Sequence, residues 1–419
     1  MTGLRDVSIN GDRLWADLMA LAEIGATSGG GVCRLALSEE DRLGRAWFVE
    51  TAEAMGLRTR TDAIGNLFAC LEGEDPMLPA VLVGSHLDTQ PSGGKFDGTY
   101  GVLAGLEVAR TILGGGIVLQ RALEIVSWTN EEGSRFLPVM AGSGVYAGVH
   151  PIESVLAMTD QVGVRFGNAL TAIGAQGEDL PRPVIDSYFE AHIEQGPVLE
   201  ANGETIGVVT GALGQRWFEC TLTGFEAHAG PTPMNLRRDA LQGAAAIIAA
   251  VDQIGRRDSD ARSTVGMIEC WPNSRNTIPG RVVFSIDLRH PADDGLSAME
   301  SEMRSAVERI AAERRLTWAL RPTNDWPACQ FDADCVDVVA QATEGRGYRH
   351  RRMVSGAGHD AVNLARVAPT AMIFVPCRDG VSHNETEDAM PDDLTAGANV
   401  LLDAVLARMG HALIKEIAP

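Results

Sequence analysis

The chain has 419 residues, which is long for one compact core, so a division into two domains is expected. Hydrophobic residues make up 45% and charged residues 22%, as in ordinary globular proteins, and this balance argues against disorder. A net charge of −21 would repel phosphate backbones and anionic membranes, so neither nucleic acid nor a membrane is an expected partner.

The amino terminus, MTGLRDVSING, lacks a basic stretch followed by an apolar one, and no apolar run reaches the length of a membrane span. Seven cysteines are scattered along the chain without a C-x-x-C pair. An odd, scattered set is typical of free thiols rather than of disulfides or a cysteine-bound metal. These features predict a cytoplasmic protein.

Two helices are predicted before the first strand–helix–strand unit. Leu14, Leu18 and Leu21 recur at helical spacing. Ser38-Glu39-Glu40-Asp41 resembles a capping box that begins a second helix, and Gly56 would end that helix. The chain is therefore expected to start as an α-helical segment.

A strand–helix–strand unit follows. Residues 80–84 predict a buried strand that ends at Ser85-His86, and residues 122–128 predict another that ends at Asn130-Glu131-Glu132. Residues 102–113 between them are expected to be helical. Because α/β proteins build active sites at strand ends, the polar residues after both strands are candidates for a site.

The segment from about Leu213 to Trp326 has a different order of elements. We predict strands at 217–223, 263–271, 281–289 and 316–321, and helices at 238–254 and 296–314. This β-α-β-β-α-β order is that of a small ferredoxin-like sandwich. A buried strand at 372–376 then ends near His383, so the first domain resumes. The predicted fold class is α/β, with a discontinuous domain at 1–212 and 327–419 and an inserted domain at 213–326.

Histidines and acids gather at the predicted strand ends. His86 could bind a metal ion while Asp88 holds its other ring nitrogen, and Asp97 in a glycine-rich loop could reach the same place. A single histidine is most often structural and paired glutamates are most often solvated, but together such groups form a ligand set. Two adjacent acids, suited to one base and one ligand, and two more histidines complete it: Glu131, Glu132, His192 and His383.

The order of these residues resembles that of the M20 metallopeptidase superfamily. The surrounding sequence is similar to its amidase/hydantoinase/carbamoylase branch in the stretches GSHLDTQPSGGKFDGTYGVLAGLEV, WTNEEGSRF, HIEQGPVLE, GFEAHAGPTPMNLRRDA, PNSRNTIPG, DLRHP, SGAGHDA and VPCRDGVSHNETED. That branch includes N-carbamoyl-L-amino acid hydrolases, β-ureidopropionases and allantoate amidohydrolases. The resemblance covers nearly the whole chain.

The resemblance implies two divalent metal ions per subunit. His86, Asp97 and His192 are implied to hold one ion. Asp97 is implied to bridge to a second ion, which Glu132 and His383 hold. The inserted domain is implied to act as a lid and to join two chains in a homodimer. Substrate contacts are implied for five further residues: Gln195, His228, Asn276, Arg289 and Gly358.

The chemistry of the side chains agrees with such a site. Two cations that share a hydroxide provide a nucleophile at neutral pH, and Glu131, the implied general base, would accept the water proton. His228 can donate a hydrogen bond to the developing oxyanion, and Arg289 can clamp a substrate carboxylate with its planar fork. The alternatives are a surface salt bridge for Arg289 and a turn position for Asn276. Zinc, manganese, cobalt and nickel all accept such ligands, so the native ion stays open.

The expected function is hydrolysis of the carbamoyl C–N bond of an N-carbamoyl-L-amino acid or a related ureido acid, giving amino acid, ammonia and carbon dioxide. Allantoate amidohydrolysis is an alternative that uses the same machinery, and the motifs do not separate the two. A catalytically silent metal-binding dimer is a second alternative, against which the unligated Glu131 argues. A covalent mechanism through Ser355 or Cys377 is disfavoured because the chain has no G-x-S-x-G elbow.

Overall fold

The computed structural model describes residues 7–178 and 182–410, together with the backbone of residues 413 and 414. Residues 1–6 and 415–419, at the two ends of the predicted discontinuous domain, lie outside the described residues, and with them the start of the stretch used to predict localisation. The chain divides into two compact units, Met1–Thr210 with Phe331–Pro419, and Gly211–Gln330.

The strands and helices are numbered in chain order. The strands are β1 (Arg58–Thr61), β2 (Leu67–Leu71), β3 (Ala80–His86), β4 (Ile117–Val118), β5 (Leu123–Trp128), β6 (Ile185–Ile193), β7 (Ile206–Ala212), β8 (Gly214–Thr223), β9 (Ala227–His228), β10 (Arg262–Thr264), β11 (Ile268–Trp271), β12 (Thr277–Ile278), β13 (Arg281–His290), β14 (Thr317–Trp326), β15 (Cys329–Gln330), β16 (His350–Ser355), β17 (Thr370–Val375) and β18 (Leu413–Ile414). The α-helices are α1 (Gly11–Ala22), α2 (Glu39–Ala54), α3 (Thr99–Gly114), α4 (Ala141–Tyr146), α5 (Ile152–Leu156), α6 (Phe166–Ala172), α7 (Val198–Asn202), α8 (Ala240–Arg256), α9 (Asp293–Arg314), α10 (Ala333–Gly345), α11 (Asp360–Leu364) and α12 (Pro391–Arg408). None of the described helices is long and apolar enough to cross a membrane.

A large mixed sheet in the first unit has the order β1-β2-β5-β3-β6-β17-β7, with β16 paired to β7. The last residues of β7 fall in the second unit, where β15 pairs with them. Its four central strands, β5, β3, β6 and β17, pair in parallel. Strands β2 and β7 flank them and pair antiparallel. Because parallel strands end on the same edge of a sheet, the segments that follow the four central strands meet there.

The central strands are apolar because helices cover them. Every residue of β17, TAMIFV, is buried, as are six of the seven residues of β3. Helix α3 packs on β3, and α12 packs on β6 and β17. Strands buried on both faces read as continuous apolar runs rather than as alternating patterns. This burial holds the strand ends, and the polar residues that follow them, on a rigid frame.

The helices at the amino terminus begin and end where their capping residues predict. Ser38 caps α2 by accepting a hydrogen bond from the Asp41 backbone N–H at 3.2 Å, and Gly56 after the helix takes φ +79°. The predicted helix at 102–113 is α3, which begins three residues earlier, at Thr99. Sequence reasoning did not predict the β1–β2 hairpin that precedes β3.

The second unit contains a five-stranded antiparallel sheet in the order β10-β13-β8-β14, with β11 also paired to β13. Helices α8 and α9 pack on each other and on this sheet. The predicted strand at 263–271 is two shorter strands, β10 and β11, which both pair with β13. The predicted helix at 296–314 begins earlier, at Asp293, and the last predicted strand extends to Trp326. A two-stranded ladder, β9 with β12, lies outside the sheet.

Candidate metal centre

Four parallel strand ends and one loop bring a group of histidines and acids together. His86 is the last residue of β3, and His192 is the penultimate residue of β6. Glu131 and Glu132 follow β5, whereas His383 follows β17, and Asp97 lies just before α3. Two clusters with ligand atoms close enough to share an ion result: His86, Asp97 and His192, and Asp97, Glu132 and His383.

Asp97 belongs to both clusters and presents a different oxygen to each. Its Oδ1 lies 3.7 Å from His86 Nε2 and 3.2 Å from His192 Nε2. Its Oδ2 lies 3.3 Å from His383 Nε2. His383 Nε2 is in turn 3.4 Å from Glu132 Oε2. A carboxylate placed in this way can bridge two ions, one on each oxygen.

The two buried histidines have fixed ring orientations. His86 Nδ1 lies 2.8 Å from the backbone oxygen of Asp88, and His192 Nδ1 lies 2.9 Å from the backbone oxygen of Ile193. A ring nitrogen that donates to a carbonyl leaves the other nitrogen available as a ligand. Both Nε2 atoms therefore face Asp97.

Asp88 acts differently from the prediction. Its backbone oxygen, not its carboxylate, contacts the His86 ring, because the carboxylate Oδ1 lies 4.0 Å from Nδ1. The carboxylate instead accepts hydrogen bonds from the backbone N–H groups of Glu131 at 3.1 Å and Glu132 at 3.2 Å. Asp88 thus ties the end of β3 to the turn that carries both glutamates.

Gly98 is needed where Asp97 approaches His86. Its φ is +63°, and a Cβ at this position would lie 2.3 Å from ring atoms of His86. Any larger residue would therefore push the ring away from Asp97, in addition to the strain of a positive φ.

Burial dominates the electrostatics of the site. It lowers the pKa of His86 to about 4, so that imidazole is neutral and able to bind a metal. Burial alone would also lower the pKa of His192, but the hydrogen bond and the charge of Asp97 outweigh it and raise that pKa to about 9. Burial together with neighbouring acids raises the pKa values of Glu131 and Glu132 well above the ordinary range.

The donor set fits divalent ions. All the ligand atoms are nitrogen or oxygen, which suits zinc, manganese, cobalt or nickel. Glu132 Oε2 accepts a hydrogen bond from Gln90 Nε2 at 2.7 Å, but Glu132 Oε1 is buried and has no hydrogen-bond partner among the described residues. A buried carboxylate oxygen without a donor is costly, and a cation would satisfy it.

Glu131 lies beside the clusters and belongs to neither. The residue is 8% exposed, and its Oε2 lies 3.6 Å from His86 Nε2. An acid held next to the ligands but outside both groups is placed to take up a proton from a molecule bound there.

Several contacts that support Asp97 were not predicted. Gln195, predicted to contact substrate, donates from Nε2 to Asp97 Oδ2 at 2.9 Å and to Ser382 Oγ at 3.2 Å. Glu387 Oε1 accepts hydrogen bonds from the backbone N–H groups of Phe96 at 3.0 Å and Asp97 at 3.1 Å. The only sequence signal was that Ser382 and Glu387 fall inside the polar stretch VSHNETED.

In a third group of potential ligands, Glu190, His192 and His359, the Glu190 carboxylate is already satisfied by protein donors. Glu190 accepts hydrogen bonds from Ser85 Oγ at 2.7 Å, from the Ala361 backbone N–H at 2.9 Å and from Tyr188 Oη at 3.1 Å. We therefore assign Glu190 a structural role, whereas His192 remains a ligand of the first cluster.

The residues considered for a covalent mechanism are buried. Ser355 Oγ lies 2.9 Å from His359 Nε2, but Ser355 and Cys377 are each only 1% exposed. Burial also raises the pKa of the Cys377 thiol to about 12. Neither side chain is placed or activated as a nucleophile, which agrees with the preference for a water nucleophile.

The other predicted substrate residues do not lie among the clusters described above. His228 in β9 is exposed, and its Nδ1 accepts a hydrogen bond from the Gly230 backbone N–H at 3.0 Å. Asn276 precedes Thr277, the residue that pairs with His228 across the β9–β12 ladder. Gly358 is exposed in the first unit, two residues before α11 begins.

Arg289 lies near the carboxyl end of β13, where it forms an ion pair with Asp287 at 2.9 Å. The β9–β12 ladder continues from the opposite end of the same strand, because Arg281 pairs with Thr223 and Ile278 pairs with Ala227. At about 3.3 Å per residue, the strand separates Arg289 from Arg281 by roughly 25 Å. Within one copy of this unit, Arg289 and His228 are therefore far apart.

Comparisons with known proteins give one matching family and several similar proteins. Residues 82–407 match the model of peptidase family M20/M25/M40. The chain is 44% identical over 400 residues to a protein of Rhizobium meliloti named N-carbamoyl-L-amino-acid amidohydrolase, with 95% of this chain and 96% of that protein covered. It is 35% identical over 388 residues to the allantoate amidohydrolase of Escherichia coli, with 91% and 94% covered. The crystal structure of an amidase of the hydantoinase/carbamoylase family from Burkholderia multivorans matches with a TM-score of 0.95 at 51% identity, covering 97% of this chain and 99% of that one.

Proposed function

The chain belongs to peptidase family M20/M25/M40, and from that premise we propose that it is a hydrolase of the carbamoyl C–N bond in N-carbamoyl-L-amino acids or related ureido acids. The products are the amino acid, ammonia and carbon dioxide. One observation carries the chemistry: Glu131, an acid outside both ligand clusters, lies beside two clusters that share Asp97. The name of the relative from Rhizobium meliloti supports the substrate class.

Two divalent ions are part of this proposal. His86, Asp97 and His192 would hold one ion, and Asp97, Glu132 and His383 would hold the other. When bound, such ions lower the pKa of a water molecule and polarise a carbonyl group. The separate oxygens that Asp97 presents to the two clusters support a bridging role.

Glu131 is the general base in this scheme. It accepts the proton of the attacking water and passes it to the leaving nitrogen, so that one water breaks the first C–N bond. The carbamic acid that results breaks its remaining C–N bond without consuming a second water. Burial and neighbouring acids raise the pKa of Glu131, which suits a carboxyl group that must both accept and donate a proton near neutral pH.

Residues of the second unit complete the substrate contacts in this proposal. His228 donates a hydrogen bond to the developing oxyanion, and Arg289 binds the substrate carboxylate through two parallel N–H groups. Asn276 lies beside His228 in the ladder. Gln195 and Gly358 of the first unit are also assigned to substrate, although Gln195 supports Asp97 as well.

The separation of His228 from Arg289 supports a homodimer. The strand between them spans roughly 25 Å, which is longer than a carbamoyl amino acid. One copy of the unit therefore cannot place both side chains on the same small substrate. An isologous dimer solves this, because each active site can take Arg289 from one chain and His228 from the other. The second unit is accordingly proposed as a lid and dimerisation domain.

Two alternative functions are allantoate hydrolysis and metal binding without catalysis. Allantoate carries two ureido groups on one carboxylate, and a protein of Escherichia coli with that activity in its name is 35% identical. A silent metal-binding dimer would have no use for Glu131 beside the clusters.

A cytoplasmic location is proposed because no disulfide joins the cysteines in the described part of the chain.

Ammonia release from a substrate panel tests the function. The metal-supplemented enzyme is incubated with several N-carbamoyl-L-amino acids, their D-enantiomers, allantoate and simple dipeptides, with the Glu131→Gln variant as a matched control. We expect turnover of N-carbamoyl-L-amino acids that the control lacks. Turnover of allantoate alone would move the assignment to the alternative, and turnover of dipeptides alone would contradict it.

A further inference from the structure

Arg34 is a buried arginine in the segment before the region that matches the family model, which begins at residue 82. Its residue is only 1% exposed, and burial lowers the pKa of its guanidinium to about 10. Removing a charged group from water is expensive unless its hydrogen-bonding groups are satisfied. The hydrogen-bond partners of the Arg34 guanidinium must therefore account for its burial.

The guanidinium is satisfied by acceptors on three different elements. Nε donates to the Leu87 backbone oxygen at 2.7 Å, and Nη2 donates to Thr99 Oγ1 at 3.1 Å. Nη1 donates to the backbone oxygens of Leu21 at 3.3 Å and Ile24 at 2.9 Å. None of these four acceptors is a carboxylate, so an ordinary ion pair does not explain the burial.

Two of these acceptors adjoin proposed metal ligands. Leu87 lies between His86 and Asp88, and the backbone oxygen of Asp88 orients the His86 ring. Thr99 follows the Asp97-Gly98 turn, and its backbone N–H donates to the Asp97 backbone oxygen at 2.6 Å. The planar guanidinium of Arg34 thus bonds both to the residue that follows His86 and to the residue that follows the Asp97-Gly98 turn.

The surrounding structure is shaped to hold Arg34 in place. Its backbone N–H donates to Thr89 Oγ1 at 2.8 Å, and its backbone oxygen accepts from the Thr89 N–H at 2.9 Å. Gly44 of α2 leaves room for the side chain, because a Cβ there would lie 2.9 Å from Arg34 Cδ. The main chain and the packing therefore both fix the direction of the guanidinium.

We propose that Arg34 is a positioning residue for the metal centre, which holds the His86–Asp88 segment and the Asp97–Thr99 turn at a fixed separation. This inference rests on the proposed metal-dependent function. Groups that orient metal ligands typically contribute about 10- to 100-fold to metal affinity or activity. The effect of losing Arg34 is therefore expected in the affinity for metal of the folded protein, beyond any effect on stability.

The test is a calorimetric titration of the chelator-treated full chain with Co²⁺, with the visible Co²⁺ spectrum as a second readout. The variants are Arg34→Met and Arg34→Lys, and the control is Arg13→Met. Arg13 joins the same segment to α3 through Glu107, at 2.8 Å and 2.7 Å, and donates to no residue beside a ligand in those contacts. The Arg13→Met variant therefore shows how loosening the amino-terminal segment alone changes Co²⁺ binding.

We expect Arg34→Met to weaken the tighter Co²⁺ site by roughly 10- to 100-fold and to alter the Co²⁺ spectrum, whereas Arg13→Met keeps both near wild type. Arg34→Lys should lie between them, because an ammonium group is a point donor and not a planar fork. Equal Co²⁺ affinity and an unchanged spectrum in a folded Arg34→Met would overturn the inference, even if its Tm falls. A wild-type chain that binds no Co²⁺ would instead refute the proposed function, before Arg34 is considered.

A second variant decides the question if Arg34→Met does not fold. Gly44→Ala keeps Arg34 but displaces its side chain, and Gly345→Ala in α10 is the control, since a Cβ there has nothing within 4 Å. We expect weaker Co²⁺ binding for Gly44→Ala than for Gly345→Ala. Matching Co²⁺ affinities in these two alanine variants would reduce Arg34 to a structural role.

Discussion

Two ligand histidines of the first unit and His228 of the second are held in opposite ways. His86 and His192 are at most 2% exposed, and each has one ring nitrogen bonded to a backbone oxygen. His228 is exposed, and its ring accepts a hydrogen bond from the backbone N–H of Gly230, only two positions away. His86 and His192 are preorganised before any ligand binds, whereas the exposed ring of His228 is accessible to a ligand from solvent. Fixed groups suit metal binding, and an accessible donor suits a substrate that must enter and leave.

The same contrast holds for the charged groups. Burial, and after it the neighbouring acids, raise the pKa values of Glu131 and Glu132 in the first unit. Arg289 in the second unit is 31% exposed and pairs with Asp287 on its own strand. Substitutions in the first unit should therefore act on metal binding or on proton transfer, while substitutions in the second should leave metal binding unchanged.

The largest separation of roles is expected between adjacent glutamates. Glu131→Gln should keep its metal but lower kcat by roughly 10²- to 10⁴-fold, the usual contribution of a positioned acid or base. Glu132→Gln should lose metal, because Glu132 belongs to a ligand cluster and Glu131 does not. Metal content by mass spectrometry and kcat at saturating substrate check this. If the two variants exchanged phenotypes, the base and the ligand would have been assigned the wrong way round.

His228→Ala should leave metal content and Tm near wild type, because the side chain is exposed. It should nevertheless lower kcat by roughly 10²- to 10³-fold, the effect of removing one oxyanion donor. A His228→Ala variant with wild-type kcat would mean that His228 is a surface residue without a role in catalysis.

Hybrid dimers sharpen the prediction for His228. Glu131→Gln and His228→Ala chains are unfolded together and reassembled. Random mixing makes about half of the dimers hybrid, each with one complete site in two, so about a quarter of wild-type activity should return. Mass spectrometry verifies that hybrids are present. Their inactivity would mean that His228 serves the site of its own chain.

Loss of Arg289 should act mainly on KM. A charge-assisted pair contributes about 1.5–3 kcal/mol, so Arg289→Met should raise KM by roughly ten- to a hundredfold. It should also remove the preference for substrates with a free carboxylate. Arg216→Met is the control, because Arg216 on the neighbouring strand β8 is also ion-paired, with Glu300 at 2.9 Å. Equal KM values in both variants would leave Arg289 as an ordinary surface ion pair.

The smallest expected effect is a pH dependence of the metal-free protein. Burial raises the pKa of Asp88 from 3.8 to about 7, and that of Glu387 from 4.5 to about 7. At a pH between the ordinary pKa and the raised pKa, Asp88 and Glu387 are protonated in the folded chain and ionised in the unfolded chain. The contribution of both groups is therefore complete at low pH and is lost as pH rises through about 7. His86, with its pKa lowered to about 4, acts in the opposite sense, but the raised acids outnumber it.

We therefore expect the Tm of the metal-free protein to fall by a few degrees between about pH 5 and about pH 8. Bound metal favours ionised carboxylates, so the gap in Tm between loaded and metal-free protein should widen over the same range. Thermal unfolding of both forms in matched buffers measures it. A gap that narrows as pH rises would contradict this assignment of charges.

The sequence predicted the parts of the structure that depend on local order. The leucines of α1, the cap of α2 and the apolar runs of β3, β5 and β17 report helices and strands directly. Polar residues that follow parallel strands must meet at one edge, so His86, Glu132, His192 and His383 could be expected together. The break between β10 and β11 has no such signal, because each of these short strands is defined by its pairing with β13.

Contacts between distant backbone groups could not be predicted. Whether the carbonyl or the carboxylate of Asp88 faces His86 depends on the path of the chain after β3. The hydrogen bonds of Glu387 to Phe96 and Asp97 join positions 291 and 290 residues apart in sequence. The burial of Arg34 among three backbone carbonyls and the Thr99 hydroxyl likewise has no local pattern, since arginine is usually exposed. These supporting contacts require three-dimensional coordinates.

The central claim is that Asp97 joins two metal sites on which hydrolysis depends. Stepwise addition of Mn²⁺ to chelator-treated enzyme, with bound metal and ammonia release from an N-carbamoyl-L-amino acid measured in the same samples, tests it most directly. The two clusters that share Asp97 predict no turnover without metal and a return of activity as occupancy rises toward two ions per chain. Full turnover by enzyme shown to be free of metal would contradict the account.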